Sequence, residues 1–199
     1  MIKPALSATP ARAAVLIALL ASAPAAAGPK EELIAAVDRL NAARSYRSVM
    51  SADTGLTVET EFVAPDRMRV RMGQLGERVV VGTTMYETYA GNTRKTPMPG
   101  NWASAMHSRV KQLGSEQTLS VALLGEQTVA GQPIRVYRAD NSQPRMSSTF
   151  WIGAHGYPLQ VKTTLTTAKN KSYTSTVRYS RHNDPGLRID PPAMPAPKR

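Results

Sequence analysis

The sequence contains no cysteine. That excludes a disulfide framework, a thiol nucleophile and a cysteine on which a lipid anchor is attached after export. Beyond the first 27 residues no apolar run is long enough to cross a bilayer, which takes roughly 20 residues. There is no Gly-x-Ser-x-Gly elbow and no phosphate loop, and the serines stand isolated. His107, His155 and His182 never fall at a metal-ligand spacing and form no zinc signature with an acidic residue. No catalytic residue, metal site or cofactor is therefore assigned, and the chain is not read as an enzyme.

What is present begins with an address. Lys3 and Arg12 precede an apolar run from Ala13 to Ala23, and Ala25-Ala26-Ala27 precedes Gly28. This is the charged, apolar and small-residue order of a secretory signal peptide, so residues 1–27 are expected to be cleaved and the remainder to be periplasmic. Without Lys3 and Arg12 the chain keeps 23 Lys and Arg against 14 Asp and Glu, a net charge of +9. A basic exported protein meets anionic head groups and envelope polymers rather than nucleic acid, and peripheral membrane contact fits that balance. About 170 residues suit one domain over 28–189. The Pro-rich segment 190–199 reads as a flexible tail.

The segment from Leu56 to Met72 specifies its own register. Pairing positions that sum to 130 sets Phe62 opposite Met68, Thr60 opposite Val70 and Val58 opposite Met72, and places Glu61 against Arg69 and Glu59 against Arg71. One face is apolar and the other ion-paired, and a slip of one residue would put the arginines on the wrong face. Glu59 and Glu61 are thereby read as structural ion pairs rather than as acid/base carboxylates. A Gly82-Thr83 turn sets Val80 opposite Met85 and Arg78 opposite Glu87. A third hairpin, with positions summing to 338, sets Leu159 opposite Tyr179, Val161 opposite Val177 and Leu165 opposite Tyr173.

Lys30 to Arg44 has acidic residues in its first turn and an apolar stripe at Leu33, Ile34, Val37 and Leu40, and so predicts a helix. Strands are expected over 46–53, 56–63, 67–73, 77–82, 84–89, 126–129, 132–139, 146–153, 157–167 and 172–181. Residues 90–100 read as a Gly/Asn/Pro-rich loop, Trp102 to Leu113 as one or two helices, and Leu119 to Leu124 as a short apolar run assigned to helix. The fold class is α+β, a curved antiparallel sheet forming a half-open barrel covered by two or three helices. Such a sheet encloses an apolar cavity.

These features resemble a known family. The N-terminal helix ending before Tyr46, the run Phe62-Val63-Ala64-Pro65-Asp66-Arg67-Met68-Arg69-Val70 and the hairpin leading to Met85-Tyr86 carry the likeness in the first half. Leu123-Leu124-Gly125, Val129-Ala130-Gly131-Gln132-Pro133, Trp151-Ile152, Gly156-Tyr157-Pro158-Leu159 and Ile189-Asp190-Pro191 carry it in the second. Together they are similar to the LolA-like lipoprotein carriers, a superfamily that also includes envelope-stress sensors and mycobacterial glycolipid-binding lipoproteins. The resemblance implies a protein that shields the acyl chains of a lipid or lipoprotein in the periplasm, and a monomer is expected. The alternative it leaves open is a regulatory sensor that uses the same fold to bind a lipoprotein or an envelope protein partner. Phe62, Met68, Val70, Met72, Met85, Trp102, Met106 and Trp151 are the candidate cavity residues. Methionine suits a surface that accommodates varied chains, and Trp102 and Met106 share a helical face over the opening.

Overall fold

The computed structural model describes residues 28–98, 102, 103, 105, 119–142 and 145–194. Helix α1 (Pro29–Asn41) starts behind Gly28 with Pro29 in its first turn, where the missing N–H costs nothing, and with Glu31 and Glu32 at the positive end of the helix dipole. It ends at Asn41, three residues short of the predicted Arg44, where the N–H of the capping Ala42 donates to the Asp38 carbonyl at 2.9 Å. Its buried stripe is Leu33, Ala36, Val37 and Leu40.

Among the described residues eleven strands follow: β1 (Ser45–Ala52), β2 (Thr57–Val63), β3 (Arg67–Arg71), β4 (Glu77–Val81), β5 (Thr84–Tyr89), β6 (Asn92–Pro97), β7 (Leu119–Val129), β8 (Gln132–Ser142), β9 (Arg145–Gly153), β10 (Pro158–Thr166) and β11 (Ser172–Ser180). They form one antiparallel sheet in the order β6-β5-β4-β3-β2-β1-β11-β10-β9-β8-β7. Two meanders are thus joined along β1 and β11, and β6 and β7 are its unclosed edges.

The predicted registers hold through the hairpin cores. Phe62 faces Met68 and Glu61 faces Arg69; Val80 faces Met85; Val161 faces Val177 and Leu165 faces Tyr173. The ladders are shorter than expected at their ends, because Met72 leaves β3 to pair with Gly76 and the β10–β11 ladder begins at Gln160 opposite Arg178. Two expectations are corrected. Leu119 to Leu124 is the first half of β7 rather than helix, and Asn92–Pro97, read as loop, is edge strand β6. Of the predicted helix over 102–113, residues 102, 103 and 105 are helical and the rest lies outside the described residues.

The curvature follows from the packing of α1. Leu33, Ala36 and Val37 share a buried cluster with Leu119, Tyr137, Phe150 and Ile152 of β7 to β9, while Leu40 shares another with Tyr46, Phe62, Met68 and Val80 of β1 to β4. Between β4 and β8 lie seven strand spacings of about 4.8 Å, or about 34 Å if the sheet were flat. A 13-residue helix is about 20 Å long, so the two flanks must curl towards each other to meet it.

The other face is polar over β1 to β4. Arg47, Glu59, Arg71 and Glu77 form a chain of ion pairs at 2.9, 2.8 and 2.7 Å, and Arg69 holds Glu61 at 2.9 Å. The C-terminal segment is tied back beside them. The Asn183 N–H donates to the Ser45 carbonyl at 2.8 Å, Arg67 donates to the Ile189 carbonyl at 2.8 Å, and Leu187 and Ile189 are buried.

Candidate functional site

Side chains alternate along each strand, so the residues that meet α1 identify the concave face. Phe150 and Ile152 meet it from β9, and their paired neighbours Tyr137 and Arg135 on β8 share that face. Thr163 and Val161 continue it on β10, followed by Val177 and Tyr179 of β11. Tyr46, Phe62, Met68 and Val80 extend it across β1 to β4.

Helix α1 leaves space on both of its sides. A cavity of about 170 Å³ lies between it and β9 to β11, lined by Val37, Leu40, Phe150, Val161 and Tyr179, with Ser148 and Thr163 as small polar members. A larger cavity of about 540 Å³ opens against β8 and β9, where Ala36, Pro133 and Ile152 form an apolar wall beside Glu32, Glu126, Arg135, Tyr137 and Arg39. Ala36 and Ile152 of the large cavity neighbour Val37 and Phe150 of the small one in a single buried cluster.

The polar wall of the large cavity is a network. The Tyr137 hydroxyl donates to Glu32 Oε2 at 2.7 Å, and Arg135 Nη2 approaches the same oxygen at 2.8 Å. The Tyr137 hydroxyl first, and Arg135 second, hold the Glu32 carboxyl below its usual range. Burial, reinforced by the Glu32 carboxylate, pushes the Tyr137 hydroxyl up to about 12. Arg135 also lies over the Tyr137 ring, 5.5 Å from its centre. In this network the Tyr137 hydroxyl and Arg135 Nη2 both spend their protons on Glu32, while Arg135 Nε makes no hydrogen bond. The evident role of the network is to hold the mouth of the cavity in shape. Sequence reading missed it, because Glu32 and Tyr137 lie 105 positions apart and nothing in either local pattern links them.

The candidate residues divide. Phe62 and Met68 are fully buried in one cluster with Val80 and Ala103, and Val70, Met85 and Trp102 pack against it. Met72 is half-buried where the chain leaves β3 and belongs to neither cluster. Trp151 alternates with the helix-facing Phe150 and Ile152 and pairs with Val136, which puts it on the convex face, away from both cavities. Met106 lies outside the described residues. Among the described residues no group of His, Asp and Glu is arranged to hold a metal ion, and no helix is long and apolar enough to cross a membrane.

No family model and no curated protein matches the sequence. Solved structures do match the fold. The lipoprotein LppX of Mycobacterium tuberculosis superposes with a TM-score of 0.58 at 12% identity, covering 81% of this chain and 97% of its own. LprF of Mycobacterium bovis gives 0.57 at 13% identity, covering 83% and 97%. A LolA superfamily protein from Nitrosomonas europaea is matched at 8% identity over 77% of this chain and 92% of its own, and its TM-score of 0.28 adds no weight. Identities this low speak to architecture alone. On that evidence the chain shares the fold of LppX and LprF, as the LolA-like resemblance implies: an unclosed antiparallel sheet, of eleven strands among the described residues, curled around α1.

Proposed function

We propose that this protein holds the acyl chains of a lipid or lipoprotein on the concave side of its sheet and acts as a carrier or chaperone in the periplasm, exported by cleavage after Ala27. One observation carries the reading: helix α1 lies in the concavity and leaves cavities of about 540 and 170 Å³ along its two sides, both with apolar walls. Burial of a chain at roughly 0.8 kcal/mol per CH₂ amounts to about 12 kcal/mol for sixteen carbons. Sequestering two thirds of that chain supplies the roughly 8 kcal/mol of a micromolar complex without any covalent chemistry.

The smaller cavity lies below the roughly 300 Å³ at which ligand pockets begin. A full chain therefore lies in the larger cavity, uses both sides of α1, or requires the neighbouring cluster to yield. Met68 and Met85 in that cluster are the flexible members, and Val70, Met85 and Trp102 are its half-buried rim. Native mass spectrometry with lipid extraction, on protein purified without detergent, tests the reading. A bound acyl species is expected; protein that is empty and refuses added fatty acid would refute it.

A further inference from the structure

The charges around the larger cavity do not cancel in place. Arg135 is shared by two carboxylates, Glu32 at 2.8 Å and Glu126 at 3.4 Å, so this triad carries one net negative charge. The Glu126 contact is loose, Arg135 Nε makes no hydrogen bond, and Glu126 is 65% exposed with its oxygens open to a second cation.

Arg39 lines the same cavity with no ion pair among the described residues. Its guanidinium lies 5.9 Å from the centre of the Tyr157 ring. A Cβ at Gly156, where φ is +75°, would come within 3.1 Å of its Nε, so the glycine leaves room for the arginine to lie along the rim. Seven residues separate Glu32 from Arg39, about 10 Å along the helix.

We propose that this cavity takes the zwitterionic head group of a phospholipid, with the phosphate against Arg39, the ammonium against Glu126 and the tails along the wall of Ala36 and Ile152. A purely anionic head group would satisfy Arg39 and face the surplus carboxylate; a neutral one would leave both charges unused. The assignment rests on the acyl-binding reading and adds the class of lipid to it.

The test is a fluorescence titration of the full chain with three lipids bearing the same labelled acyl chain: phosphatidylethanolamine, phosphatidylglycerol and diacylglycerol. Phosphatidylethanolamine is expected to bind about tenfold tighter than diacylglycerol, since a charge-assisted contact contributes at least that factor, with phosphatidylglycerol between them. Arg39→Gln should bring phosphatidylethanolamine to within about twofold of diacylglycerol, and Arg39→Lys should keep most of the preference. Glu126→Gln should erase the advantage over phosphatidylglycerol. Equal binding of the three lipids, unmoved by Arg39→Gln, overturns the head-group assignment and leaves acyl binding standing, whereas failure to bind any of them, diacylglycerol included, removes both. Soluble glycerophosphoethanolamine binding as tightly as the lipid would also overturn it, by making the site one for a free phosphoamine.

Discussion

On the flank of β1 to β4, Phe62, Met68 and Val80 are 1–3% exposed beneath Leu40, and Val70, Met85 and Trp102 close over them. On the flank of β8 to β10, Tyr137 and Phe150 are as deeply buried and Ile152 is 7% exposed, yet two cavities open among them. The residues between the large side chains make the difference. The first flank sets long or aromatic side chains directly opposite one another, Tyr46 against Phe62 and Phe62 against Met68. The second intersperses Ser148, Gly153, Ala154 and Thr163, which are too short to reach across to the helix, and the helix itself presents the small Ala36 there. Space in a curled sheet is thus made by small residues beside large ones, and the flank richest in methionine is the one that packs shut.

Substitutions that exchange the two behaviours break this contrast. Phe62→Ala removes a ring from the closed flank and should cost about 3–5 kcal/mol in denaturant unfolding. Glu61→Gln leaves Arg69, whose side chain is only 19% exposed, with nothing but the longer 3.9 Å contact to Glu77 and should cost about 3 kcal/mol. Arg78→Gln breaks the exposed pair with Glu87 and should cost under about 1 kcal/mol. Equal losses for these two would show that burial of an ion pair carries no energetic weight. Val161→Phe fills the small cavity of the open flank. Its stability should stay within about 1.5 kcal/mol of the original, while fatty-acid uptake measured by fluorescence falls about tenfold; unchanged uptake would place the ligand elsewhere.

The smallest effect concerns the C-terminal segment. His182 stacks on Tyr157 with ring centres 4.5 Å apart, and burial holds its imidazole below its ordinary value of 6.5, against a hydrogen bond to the Pro158 carbonyl that favours the charged form. A depressed folded-state value means that the stabilising contribution is complete above about pH 6.5 and is lost as the pH falls through the folded value. Unfolding midpoints between pH 7 and pH 5 should therefore decline, and should decline less in His182→Phe, which keeps a stacked ring but cannot titrate.

How much of this was legible follows from the range of each interaction. The β2–β3 and β4–β5 registers could be read because each hairpin carries its charges and its apolar residues on opposite faces within a few positions of its turn. Strand β7 was misread because Leu123 and Leu124 interrupt its two-residue period, and the cause is a bulge between Leu123 and Gly125. Strand β6, Asn-Thr-Arg-Lys-Thr-Pro, has no apolar alternation at all, as suits an edge that must resist further pairing. The aromatic candidates show the limit most clearly. Trp102 and Trp151 look alike as apolar residues in a chain with few rings, but the face that each one takes depends on which neighbours pack on the helix. The charged mouth of the larger cavity joins residues from α1, β7 and β8, and no local pattern foretells it.

Those two residues are the only tryptophans in the chain, and they stand on opposite faces of the sheet. Quenching of their fluorescence by a brominated fatty acid therefore tests most directly whether the concave side is the binding face. Saturable quenching is expected in the original and in Trp151→Phe, where only Trp102 emits, and should be lost in Trp102→Phe. Quenching that survives in Trp102→Phe and vanishes in Trp151→Phe, or no saturable quenching in any of the three, would contradict the account.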